Sequence, residues 1–247
     1  MIHIITIHFK VERWIDLQLK HINKHIKNYK MWVYCDGFDH LPHKDKFNFC
    51  QEYTPEIRQP CELDHMEKLN SLTNVVLNDK KTNDTDLLVW LDSDAFPIRG
   101  VNDYINEKLL KYPFMAIQRP ENGGDLIPHP SFACCSVDFW KKTKLNWDNQ
   151  GARNKHSKNG LHDPGGKMYK VFLEKNIEWH KLLRTKSLTK HQVFFTIYDD
   201  MIYHHGAGSR VDENGFAMCR GGTFGASYDE SEIFNNLNDF NANYDIT

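Results

Sequence analysis

Two carboxylates one residue apart close an apolar run in "LLVWLDSDAFPI" (87–98), where Asp92 and Asp94 flank Ser93. Anions held that close raise each other's pKa and lose water, a cost that a cation between them offsets. The chemistry such a pair suits is the holding of a divalent metal, with surface acids at a strand end as the bland alternative. A complement lies in "IYHHGAGSR" (202–210). There His204 or His205 offers an imidazole, the small residues let a ligand approach the backbone, and Arg210 offers a fork for phosphate. In an extended strand the two histidines face opposite ways, so only one would ligate. Two ordinary histidines near a strand end, in a chain with 14 of them, is the reading without chemistry. An imidazole added to two carboxylates favours Mn²⁺ over Mg²⁺, which prefers oxygen ligands. "HDPGGK" (162–167) sets Asp163 before a proline and two glycines, as a general base for a hydroxyl or as the start of a turn and a helix cap.

These residues need elements to position them. The run into Asp92 reads as a central strand covered on both faces, with the acids at its carboxyl end, where open α/β sheets bind ligands. "MIHIITIHFK" reads as a first strand, and Val11, Ile15, Leu19, Ile22 and Ile26 recur at helical spacing. "MWVYCDG" (31–37) then ends a second strand on Asp36, so the opening is that of a parallel α/β sheet. A loose stretch from Phe38 to Cys61 precedes a helix over 64–77, for which Asp64 and Glu67 make a capping box. Further on, 102–111 reads as a helix, 114–119 as a strand, and 130–140 as a strand ending near Trp140. Residues 146–167 are a mobile loop or lid by composition, and a helix resumes over 167–175. Trp140, Trp147 and Trp179 could offer a flat apolar wall to a ligand, though a core role suits each of them better.

The bulk numbers exclude several classes. Lys plus Arg total 31 against 33 Asp plus Glu, so no electrostatic footprint for nucleic acid exists. No apolar stretch is long enough for a transmembrane segment, and the amino terminus does not read as a signal peptide. The six cysteines lack C-x-x-C spacing, which fits reduced thiols and a cytoplasmic location. A content of 40% hydrophobic residues is ample for a packed core.

The order of these motifs, with "WLDSDAFP" and "YHHGAGSR" as the most specific part, resembles nucleotide-sugar glycosyltransferases of the GT-A fold. The likeness is to the family-2-like members of bacteria and large viruses, and it covers most of residues 2 to 210. The resemblance implies one Rossmann-like α/β domain with a mostly parallel central sheet over 1–228, divided into a nucleotide-binding half (1–100) and an acceptor-binding half (101–228). A polar tail follows over 229–247. It implies a hexosyl- or pentosyltransferase that moves a sugar from a UDP- or GDP-sugar donor to a glycan or glycoconjugate acceptor. Asp92, Ser93 and Asp94 match the D-x-D motif that holds Mn²⁺, with Mg²⁺ as the alternative ion, against the donor diphosphate. His204 or His205 matches the carboxyl-terminal metal ligand. Thr6, His8 and Asp36 match nucleoside-holding positions, and Lys68 and Arg210 donor contacts. Asp163 falls where inverting members carry their catalytic acid, although His162 precedes it where those members commonly have Glu.

Two other classes compete. A nucleotidyltransferase would want a glycine-rich phosphate loop after the first strand, and "HFKVERW" lacks the glycines. A non-catalytic metal or sugar-binding module would explain the histidines without turnover.

Overall fold

The computed structural model describes residues 1–38, 40–53, 61–122, 124–148, 164–187 and 195–206, with the backbone alone at 53 and 61–63. The 146–167 loop therefore lies mostly outside the described residues, as does the tail from 229. The fold is α/β, with a seven-stranded central sheet and a smaller four-stranded one.

The chain opens with β1 (Ile2–Phe9), α1 (Glu12–His25) and β2 (Tyr29–Asp36), followed by β3 (Phe49–Tyr53) and α2 (Cys61–Asn78). Next come β4 (Leu87–Asp92), β5 (Ala95–Pro97), α3 (Asn102–Leu109), β6 (Phe114–Ile117), β7 (His129–Ser136), α4 (Val137–Thr143) and α5 (Gly166–Glu174). The small strands β8 (His180–Leu182), β9 (Arg184–Ser187), β10 (Thr196–Tyr198) and β11 (Ile202–His204) complete the described residues. The central sheet has the order β3-β2-β1-β4-β7-β6-β8. β4 is parallel to β1, whereas β7 runs antiparallel to β4 and to β6.

Alternation of side chains along buried strands gives the sheet two apolar faces. Ile2 and Ile4 pack with Ile15, Leu19 and Ile22 of α1, while Ile5 and Ile7 pack with Leu69, Leu72 and Val76 of α2. Cys134 and Cys135 divide between the same two clusters. Trp90, fully buried, keeps its indole N–H bonded to Thr73 Oγ1 at 3.0 Å, so its burial leaves no donor unpaired.

Four local expectations need correction. The stretch from 38 to 61 contains an edge strand, β3, too short for its alternation to show. Helix α2 begins at Cys61, so Asp64 lies inside it and forms no capping box; its carboxylate takes Lys68 one turn on, at 2.7 Å. β7 ends at Ser136, whose hydroxyl accepts from the Phe139 N–H at 3.1 Å and starts α4, and Trp140 is therefore helical. The 146–167 stretch is anchored at its start, because Trp147 is fully buried and its backbone N–H and C=O both bond to the Asn70 side chain.

Candidate functional site

The strand order places a topological switch at β1: the chain steps outward through β2 and β3, then returns to the other side as β4. Ligands of open α/β sheets bind in the crevice beyond the carboxyl ends at such a point. Asp92 is the last residue of β4, and registered with Ile7 it stands at that crevice.

The turn after β4 is fixed from the α1 side. Gln18, fully buried, donates from Nε2 to the carbonyls of Asp92 (2.8 Å) and Ala95 (2.9 Å). The His21 Nδ1–H donates to the Pro97 carbonyl at 2.9 Å. β5 then pairs with β11, setting His204 opposite Ala95, and the His205 N–H donates to the Asp94 carbonyl at 3.0 Å. This pairing brings His204 Nε2 to 3.6 Å from Asp92 Oδ2 and 3.6 Å from Asp94 Oδ1. One ligand atom from each of Asp92, Asp94 and His204 lies within 4.8 Å of the other two. Two carboxylate oxygens and an imidazole nitrogen at such separations could hold a divalent ion.

His205 points away from this group. Its ring packs on Trp14 (4.5 Å between centroids) and Phe195 (4.6 Å), with Nδ1 2.9 Å from the Tyr203 hydroxyl. Burial, with His204 and Arg13 adding to it, holds its pKa well below the ordinary imidazole value. The two histidines thus face opposite ways, as strand alternation requires.

Two more imidazoles, which sequence reasoning missed, close on Asp92. His65 Nε2 from α2 is 3.4 Å from Oδ1, and His129 Nδ1 from the start of β7 is 3.9 Å from Oδ2. His129 is steadied by Ser131, whose N–H donates to Nδ1 at 3.2 Å. Burial alone would raise the Asp92 carboxyl, but His65, His129 and His204 overcome it and hold the group well below the usual carboxylate range. The signal for His65 was its place three residues before Lys68, on one helix face. None existed for His129, since its approach depends on the reversed direction of β7.

The remaining site candidates divide by face. Lys68, buried, bridges Asp36 Oδ2 at 3.1 Å and Asp64 Oδ2 at 2.7 Å, so Asp36 and Lys68 come together at the carboxyl end of β2 on the α2 face. Thr6 and His8 share the parity of Ile2 and Ile4 and belong to the α1 face, where both are buried. Burial pushes His8 down to about 3, with Gln18 opposing. The structure thus does not bring Thr6 and His8 to the face that carries Asp36 and Lys68. Ser93 is buried in the turn between the two acids. Trp140, Trp147 and Trp179 are all core residues of the α2 face.

Asp163 and Arg210 lie outside the described residues. The turn that follows Asp163 is described and is tightly seated: Gly165 has φ +113°, and a Cβ on it would lie 2.0 Å from the Pro128 carbonyl oxygen. That contact anchors the Pro-Gly-Gly turn one residue from His129. Among the described residues, no helix is long and apolar enough to cross a membrane.

No protein-family model matches the chain, and no curated protein matches it. Solved structures do. The chain is similar to S. aureus TarS at 10% identity and a TM-score of 0.42, over 61% of this chain and 31% of that one. It is similar to the mannosyltransferase PcManGT from Pyrobaculum calidifontis, in complex with GDP-Man and Mn²⁺, at 14% identity and a TM-score of 0.49, over 77% and 57%. It is also similar to the glycosyltransferase GlyE of Streptococcus pneumoniae TIGR4 at 12% identity and a TM-score of 0.42, over 73% and 44%. The chain matches between 31% and 57% of the length of these three proteins. Likeness at this level leaves the chemistry of this chain to its own side chains.

Proposed function

We propose that the chain is a metal-dependent glycosyltransferase that moves a sugar from a nucleoside-diphosphate sugar to a hydroxyl of a glycan or glycoconjugate. The observation that carries this reading is the Asp92, Asp94 and His204 group at the switch point of a mostly parallel sheet. Bound there, Mn²⁺ or Mg²⁺ would neutralise the charge that develops on a leaving nucleoside diphosphate. Asp92 and Asp94 hold the ion, and His204 tips the preference toward Mn²⁺. Asp36 and Lys68, at the carboxyl end of β2, receive the nucleoside side of the donor. Arg210 adds a cation for the diphosphate, and Asp163 takes the proton of the acceptor hydroxyl as its oxygen attacks the anomeric carbon from the face opposite the leaving group. That geometry inverts the anomeric configuration. The roles of Asp163 and Arg210 rest on the sequence resemblance.

Asp94→Asn tests the reading. The variant should fold, lose at least about 100-fold in Mn²⁺-dependent binding of UDP and GDP, and lose sugar transfer. Unchanged metal-dependent binding of both nucleotides would sink the proposal.

A further inference from the structure

Of the three imidazoles around Asp92, His129 and His204 have side chains only 9% and 6% exposed, whereas His65 is 30% exposed. His65 also lies outside the group of atoms within 4.8 Å of one another. It faces Oδ1 of Asp92, while His204 and His129 face Oδ2. Along α2 it sits one residue after Asp64 and three before Lys68, the two residues that meet at the end of β2. It therefore stands over β1, between the carboxyl ends of β2 and β4. Those ends are two strand spacings apart, about 10 Å. A molecule reaching from Asp36 to Asp92 ends within reach of it, since His65 Nε2 is 3.4 Å from Asp92.

We propose that His65 is a donor-binding residue that hydrogen-bonds the diphosphate of the nucleotide sugar, an inference that rests on the transfer reading above. Three features support phosphate as its partner. His65 lies near the amino-terminal end of an 18-residue helix, where the backbone dipole favours anions. Its imidazole is partly exposed, as a ligand contact requires. Its present anionic neighbour, Asp92 Oδ1, is 3.4 Å away, longer than a usual N–H···O hydrogen bond, so the imidazole keeps donor capacity for an anion in the crevice. Lys68, on the same helix face, is held by two carboxylates at 3.1 and 2.7 Å, both shorter than the 3.4 Å contact of His65.

The test uses the full chain with His65→Ala and His65→Gln. Free Mn²⁺ measured by electron paramagnetic resonance gives the Kd of the ion alone, and calorimetry at saturating Mn²⁺ gives the Kd of UDP and of GDP. The expected result is a Kd for Mn²⁺ within twofold of wild type and a Kd at least tenfold weaker for whichever of UDP and GDP the wild type binds. Gln, which keeps a donor, should recover part of the loss and guards against an Ala variant that folds poorly. Unchanged nucleotide affinity overturns the assignment. A Mn²⁺ Kd weakened tenfold overturns it too, since His65 would then be a metal ligand. A wild-type chain that binds neither UDP nor GDP with Mn²⁺ defeats the transfer reading itself.

Discussion

β4 has a carboxylate at each end, Asp86 buried and Asp92 half-buried, and each meets histidine. Just before its first residue, Asp86 lies 2.9 Å from the Asn83 N–H, 3.2 Å from His3 Nε2 and 3.0 Å from the Met1 nitrogen. The Trp32 indole N–H donates to His3 Nδ1 at 3.1 Å, which fixes the proton on the nitrogen that faces Asp86. At the other end Asp92 faces imidazole nitrogens at 3.4, 3.6 and 3.9 Å. Hydrogen bonds of this kind close by about 3.2 Å, whereas the ligand atoms of a tetrahedrally held ion, each about 2.1 Å from the metal, stand about 3.4 Å apart. The same residue types therefore make a closed structural contact at one end and an opening of ligand size at the other.

Acid should separate the two ends first, and with the largest effect. Near the carboxyl end, burial pushes His21 down to about 4 and His8 to about 3. Both remain neutral in the folded chain where the unfolded chain, at about 6.5, has already bound a proton. Their contribution is full above about pH 6.5 and falls by about 1.4 kcal/mol per pH unit for each histidine, until the folded values are reached. At the amino end burial also lowers His3, but the Asp86 carboxylate opposes it. The pKa of Asp86 is lowered despite its own burial, by bonds from Asn83, the Met1 nitrogen and His3. Its contribution is thus present above the ordinary carboxylate value and disappears only as pH falls through the lowered one. Melting curves between pH 7 and 4.5 should show a steep loss of stability that His21→Asn makes shallower. An unchanged slope in that variant would count against the contrast.

A smaller effect is expected from Gln18→Leu. It leaves the buried carbonyls of Asp92 and Ala95 without their donor, at a cost of about 1–3 kcal/mol, seen as a lower Tm. Because the turn carries both acids, Mn²⁺ affinity should also fall, by roughly tenfold, as it does when a supporting residue of a metal ligand is lost. A drop in Tm with unchanged Mn²⁺ affinity would show that the turn keeps its shape unaided. The smallest effect belongs to Asp86→Asn: about 1 kcal/mol of stability, with Mn²⁺ affinity within twofold of wild type. Weakened metal binding in that variant would mean that the two ends of β4 are coupled.

How much of this was legible in the chain follows from the range of the forces involved. The α1 stripe, the strand into Asp92 and the opposite facing of His204 and His205 are short-range patterns, and the structure follows them. β3 pairs along one edge only and is five residues long, so its local signal was weak. Gln18 interrupts an apolar stripe between Ile15 and Leu19, a visible hint that a buried amide had work to do there. His65 and His129 reach Asp92 through the docking of α2 and the reversal of β7, which no local spacing encodes. The resemblance gives Thr6 and His8 a nucleoside-holding role at the end of β1, yet the pleat turns both toward α1.

The pairing of β5 with β11 also bears on the order of folding. Asp94 and His204 meet only after the chain between them has closed a long loop, and closing such a loop costs entropy that its contacts must first overcome. A nascent chain that has finished β4 but not β11 carries two carboxylates without their imidazole. High-affinity Mn²⁺ binding would then report the arrival of the last described strand, and would serve as a clock for that step of assembly.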